Sequence, residues 1–251
     1  MAQIFKVGGC VRDRFLGVDS KDIDFTFVCE NSKTVEEGWQ EMRGWMTIRG
    51  FEIFLETPDC FTIRAKFPSE DKFPAFGKFE GMVADFVMAR KEMGYIEGTR
   101  RPILELGTLE DDLIRRDFTV NALAETLTGE IIDLFGGIRD IQLKQLVTPL
   151  DPKITMMDDP LRVLRALRFS ITKNFTINYT IWDAMSQHEI LEKLKSTVSG
   201  ERIREEVMKM MKHDTPESIK LLMDVDRHHI PGFIDLVFNN GLWLKPTFEK
   251  R

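Results

Sequence analysis

No apolar run in this chain approaches the roughly 20 residues a membrane span needs. The start, Met1-Ala2-Gln3-Ile4-Phe5-Lys6, has neither the charged n-region nor the apolar h-region of a secretory leader. Cysteine is scarce: Cys10, Cys29 and Cys60 are odd in number, widely spaced and form no CxxC pair. That argues against a disulfide framework or a cysteine metal site, and for a reduced, cytoplasmic setting without a membrane. The histidines His188, His213, His228 and His229 show no metal-ligand spacing. Internal repeats and low-complexity tracts are absent. Basic excess is absent too: the net charge of −6 argues against a generally basic nucleic-acid binder.

What is present is a chain of 251 residues, 43% hydrophobic and 30% charged, enough for one large globular domain or two small ones. The charge is uneven. Residues 151–251 carry 16 basic and 15 acidic side chains, whereas residues 1–150 carry 19 and 26. An acidic first half suits a metal site, and a near-neutral second half can still present a local basic face.

Residues 1–150 read as mixed α and β. Strands are expected over Ile4–Val7, Asp22–Val28, Phe51–Leu55, Phe61–Phe67, Met82–Ala89 and Ile131–Phe135, with loops at Pro68, Pro74, Gly77 and Gly81. A short helix is expected over Val11–Leu16, and a second from a cap at Asn31 or Ser32 to about Met42. From Asp159 the pattern turns helical. Asp158-Asp159-Pro160 places acids and proline at a helix start, followed by Leu161, Leu164 and Leu167. Later helices are expected over Tyr179–Leu194, Gly200–Lys212 and Pro216–Val225. The fold class is α+β: a small mixed sheet over 1–150, then a helical domain over 151–251. Trp39, Met42, Trp45 and Met46 read as core.

Gly8 and Gly9 end the first strand and open a short helix, a turn that lets the backbone approach a phosphate. Arg12 adds a bidentate phosphate donor in the first turn. Asp22 and Asp24, two apart on a strand, point the same way with Cα atoms about 7 Å apart. Such a pair can bracket metal ions about 3.5–4 Å apart, the spacing of two-metal phosphoryl transfer. Taken alone, an Asp-x-Asp pair is more often a solvated pair of charges. The ordered set of strand, glycine pair, helix and acid pair is much rarer. Asp85, on a further expected strand, either completes the metal site, deprotonates an attacking hydroxyl, or is an ordinary polar strand residue.

Six stretches occur in order: Gly8–Asp24, Ala89–Glu92, Gly107–Ala124 with Arg115-Arg116-Asp117 at its centre, Gly129–Gly137, Asp158–Phe169 and, last, Glu201-Arg202-Ile203. Through them the chain resembles the bacterial-type tRNA nucleotidyltransferases (CCA-adding enzymes) and poly(A) polymerases of the polymerase-β nucleotidyltransferase superfamily. The resemblance implies a catalytic head followed by helical neck and body regions. It implies Asp22 and Asp24 as ligands of two Mg²⁺ ions, with Asp85 a third acid. It also implies Gly8, Gly9 and Arg12 at the triphosphate, and Arg115, Arg116, Asp117 and Asn121 at the ribose and phosphates. Asp159 and Arg162 would read the base, with Arg165 and Arg168 further along the same helix. The substrates implied are CTP and ATP and the partner is the 3′ end of tRNA; a homo-oligomer is compatible with this. The motif departs from the family by having Asp158 where glutamate is usual. Family members also continue into tRNA-gripping helices, so the resemblance implies either that this grip is absent or that another subunit supplies it. The rivals are poly(A) addition, CC- or A-addition alone, transfer to a non-tRNA acceptor, and a non-catalytic RNA- or nucleotide-binding module.

Overall fold

The computed structural model describes residues 3–20, 22–72, 74–95 and 102–238; Lys21 of the opening motif and the final stretch from 239 onward lie outside the described residues. The chain divides into two compact units, Met1–Ile141 and Gln142–Arg251.

The first unit contains, in chain order, β1 (Gln3–Val7), α1 (Gly9–Phe15), β2 (Asp24–Val28), α2 (Val35–Ile48), β3 (Glu52–Thr57), β4 (Thr62–Lys66), β5 (Val83–Met88), β6 (Arg90–Tyr95), β7 (Pro102–Leu106), α3 (Leu109–Ile114), β8 (Leu123–Glu125), β9 (Ile131–Asp133) and α4 (Gly137–Gln142). Among the described residues, seven of these strands form one mixed sheet in the order β3-β4-β5-β2-β1-β8-β9. Only β2 and β5 run parallel within it.

Alternation along the central strands decides which side chains meet. Phe25 and Phe27 of β2, Ile63 and Ala65 of β4, and Ala84, Phe86 and Met88 of β5 turn to one face, where they pack with Trp39, Met42 and Met46 of α2. Phe25 and Phe86 stack there with ring centres 5.2 Å apart. The residues between them, Asp24, Thr26, Arg64 and Asp85, therefore share the opposite face.

Several expected boundaries move, each for a local reason. Helix α2 starts from Thr34, whose side chain and Glu37 form a reciprocal capping box. The N–H groups of Asn31 and Ser32, the expected caps, are instead taken by the Glu41 carboxylate. The antiparallel pair β6–β7 was not expected. Cys10, Cys29 and Cys60 are free thiols.

The second unit contains α5 (Pro152–Asp158), α6 (Arg162–Thr172), α7 (Tyr179–Met185), α8 (His188–Thr197), α9 (Gly200–His213), α10 (Thr215–Asp224) and α11 (Phe233–Phe238), with a short parallel ladder between β10 (Gln145–Leu146) and β11 (Thr176–Ile177). The helix expected over Tyr179–Leu194 is two helices, because Gln187 is extended and the Ser186 hydroxyl turns back to the Asp183 carbonyl. His229 stacks on Trp182 with ring centres 4.2 Å apart. Among the described residues no helix is long and apolar enough to cross a membrane.

Candidate active site

The sheet face away from the aromatic core carries a charged row set by strand register. Asp24 is the register partner of Asp85 across the parallel β2–β5 ladder, and Asp85 is the partner of Arg64 across β4–β5. Arg64 grips Asp85 with both arms, Nε to Oδ1 at 2.7 Å and Nη2 to Oδ2 at 2.6 Å. Strand β2 begins at Asp24, so Asp22 sits exposed in the lead-in rather than on the strand itself. The expectation that both aspartates share a strand face is corrected accordingly. Burial pushes the Asp24 carboxyl above its ordinary value; Arg116 opposes this, while the charges of Asp85 and Asp22 add to it.

These residues fit a hard divalent cation. The donors are carboxylate oxygens only, which suits Mg²⁺, an ion that takes few protein ligands and completes its shell with water and phosphate oxygens. Among the described residues no three His, Cys, Asp or Glu side chains are gathered into a closed metal cage.

Above this row lies a phosphate-compatible turn. Gly8 has φ 78° and ψ −137°, a conformation that favours glycine. A Cβ there would also lie 2.7 Å from Nη1 of Arg116, so the guanidinium crosses directly over the turn. Arg116 is held by Asp112, which accepts from Nη2 of Arg116 at 2.7 Å, Nη2 of Arg115 at 2.5 Å and the Thr26 hydroxyl at 2.8 Å. Asp112 is only 1% exposed. Burial works against its charge, but Arg116 and Arg115 outweigh it and hold the carboxyl far below the usual carboxylate range. The Nε of Arg116 is buried without a hydrogen-bond partner among the described residues, a donor that an anionic ligand would satisfy.

Arg12 is not the open phosphate donor expected from the sequence. It is 5% exposed. Its Nε and Nη2 donate to Asp13 at 2.9 and 2.7 Å, and its Nη1 donates to Asn121. Asn121 in turn donates to Asp117 at 2.8 Å. The reason is local: α1 packs against the 119–121 turn, and the guanidinium satisfies buried acceptors there. Arg12, Asp13, Asp117 and Asn121 form a buried network that fixes the turn, with Gly9 resting against the Arg12 guanidinium.

In the second unit the expected base readers are placed differently from the sequence reading. Asp159 precedes Pro160 and is extended, with φ −136° and ψ 99°, as the end cap of α5. Proline disfavours a helical conformation in the residue before it, so the next helix begins only at Arg162. Asp159 and Arg162 therefore flank a turn instead of sharing a helix face. The Asp159 carboxylate accepts from the Leu161 N–H at 3.2 Å and from Arg202 of α9 at 3.1 Å, and Arg162 donates to the Thr155 carbonyl at 3.0 Å. Arg165 lies over the Phe169 ring. Arg168 is drawn to Glu206 of α9 at 2.5 Å, an ion pair between packed helices instead of an outward contact.

A family model described as the poly A polymerase head domain matches residues 4–147, more than half of the chain and all of the charged row. The chain belongs to the poly A polymerase head-domain family. Among its relatives, the nucleotidyltransferase lcsQ of Purpureocillium lilacinum is 36% identical over 85% of this chain and 36% of its own. The mitochondrial CCA tRNA nucleotidyltransferase of Candida glabrata is 34% identical over 91% of this chain and 43% of its own. The chain thus spans less than half the length of these curated relatives. A tRNA nucleotidyltransferase solved with a primer tRNA and an incoming ATP analogue superposes with a TM-score of 0.65 at 26% identity, covering 94% of this chain and 59% of that one.

Within this head-domain family member, three residues that build the site escaped the sequence reading. Thr26 was detectable as the residue two beyond Asp24, hence on its face. Asp112 was detectable as the acid three and four residues before Arg115 and Arg116 on a short helix. Arg64 carried no signal, because only strand register brings it to Asp85.

Proposed function

We propose that this chain performs metal-dependent, template-independent nucleotidyl transfer to an RNA 3′ end, adding CCA or part of it to tRNA from CTP and ATP with release of pyrophosphate. One observation carries the reading: the carboxylate row at Asp24 adjoins Arg116 as it crosses the Gly8 turn, so acid donors and a phosphate-matching cation meet in one unit. Asp22 and Asp24 are the residues that would hold divalent metal. When bound, Mg²⁺ supplies charge neutralisation at the triphosphate and favours ionisation of the attacking 3′-hydroxyl. Arg116 orients a phosphate group across the Gly8 turn, and Asp112 keeps that guanidinium charged and aimed. The Arg12–Asn121–Asp117 network holds the turn rigid, so that positioning contributes to the rate. Residues 1–150 then act as the head that carries the chemistry. In residues 151–251, Asp159 supplies an acceptor and Arg162 a donor for the edge of the incoming base.

The test is incubation with tRNA lacking its 3′ end and with CTP or ATP, singly and together. Incorporation of C followed by A supports CCA addition. The family model's own description favours a variant reading, A addition, and long A tracts without C would establish it. Label on a non-RNA acceptor and none on any tRNA would replace both readings.

A further inference from the structure

The carboxylate row ends in a clamp. Asp85 stands directly opposite Arg64 on antiparallel strands, and both of its oxygens are engaged, at 2.7 and 2.6 Å, by the two arms of one guanidinium. The placement is over-determined. Ile63 and Ala65, on either side of Arg64, are buried in the aromatic core, and so are Ala84 and Phe86 on either side of Asp85. A one-residue slip of either strand would drive a charge into that core. The pair is itself partly open, with side-chain exposures of 54% for Arg64 and 28% for Asp85. Exposed pairs of this kind add little stability. Its consequence is chemical: a carboxylate whose two oxygens meet a bidentate fork has lost its best-placed lone pairs. Among the described residues, Asp22, Asp24 and Asp85 are not gathered into a three-donor metal cluster.

Resting on the metal-dependent reading above, we propose that Arg64 is a positioning residue that holds Asp85 out of the metal-ligand set. Divalent metal is then held by Asp22 and Asp24, and Asp85 contributes charge and alignment from beside it. The sequence-level choice between a third ligand and an ordinary strand acid thereby resolves into a third role, set by a residue on β4.

The experiment is Mn²⁺ binding to the full chain without nucleotide or RNA, followed by the loss of the free-ion electron paramagnetic resonance signal. Arg64→Met frees Asp85 and removes a nearby positive charge, and is expected to tighten binding about threefold to tenfold. Asp85→Asn alone should weaken it by less than about fivefold, the effect of leaving the Arg64 charge unbalanced, because that carboxylate is already withheld from the metal. The double variant Arg64→Met with Asp85→Asn should fall back to within about twofold of the parent. Arg64→Lys, which keeps the charge but loses the fork, should lie between parent and Arg64→Met, and it serves as the reading if Arg64→Met does not fold. A tenfold weakening by Asp85→Asn alone would show that Asp85 is a ligand despite the clamp and overturn the proposal. So would an unchanged affinity in Arg64→Met, or a double variant that stays tight. Asp24→Asn separates the two levels: Mn²⁺ binding that survives it removes the metal-site reading itself, whatever Arg64 does.

Discussion

The two units handle charge in opposite ways. In the first, strand register sets Asp24 beside Asp85, and burial, with smaller contributions from the charges of Asp85 and Asp22, pushes the Asp24 carboxyl up against the opposing pull of Arg116. In the second, the charged residues expected to face a ligand are engaged within the unit: Asp159 with Arg202, Arg162 with the Thr155 carbonyl, Arg168 with Glu206. Frustrated charge is what a bound cation and triphosphate relieve; satisfied charge shapes a surface. Under the proposed function, the difference fits chemistry in the first unit and recognition in the second.

Three measurements bear on that contrast. The largest stability effect is expected at Asp112, the buried acid that aims Arg116. Asp112→Ala leaves two guanidinium groups without their counter-charge and should cost about 3–5 kcal/mol in urea unfolding. Because folding depresses this carboxyl, its contribution is present above the ordinary value of 3.8 and is lost as pH falls through the lowered one. The deficit of the variant should therefore shrink only in strong acid. A cost below about 1 kcal/mol would mean that the arginines are held otherwise.

Much of this division was legible in the sequence. The glycine pair, the alternating strand Phe25–Val28 and the apolar spacing of Leu164 and Leu167 each follow from local chemistry. Other features were not. Asp151-Pro152 is a sound helix start, with the Asp151 side chain accepting from Lys153 N–H at 2.8 Å, but the acid pair and proline at 158–160 make a similar local signal seven residues later. Asp159 was read into a helix although the following proline forbids it. Arg12 looked exposed because its partner Asn121 lies 109 residues away. Arg64 and Asp85 meet only through a register that no local pattern encodes. Local propensity reveals elements; the pairing that assembles a site depends on which faces the core has claimed.

The smallest effect is expected in the second unit. Arg202→Ala removes an exposed partner of Asp159 and should alter stability by less than about 1 kcal/mol. If Asp159 meets the incoming base, the same change loosens its carboxylate and should raise the KM for CTP and ATP a few-fold with kcat nearly unchanged. An unaltered KM for both would confine Asp159 to capping.

The central claim of the proposed function is that Asp24, a carboxylate whose charge is disfavoured by burial, is kept for metal binding, and Asp24→Asn tests it most directly. Folding raises this carboxyl, so its ionised form destabilises the protein at neutral pH and the protonated form does not. The account predicts that nucleotide incorporation into tRNA falls by about a thousandfold or more. It also predicts that Tm at pH 7 stays equal or rises by up to a few degrees, with the gain vanishing as pH falls toward the ordinary value of 3.8. Incorporation within tenfold of the parent, or a Tm lowered at pH 7, would contradict it.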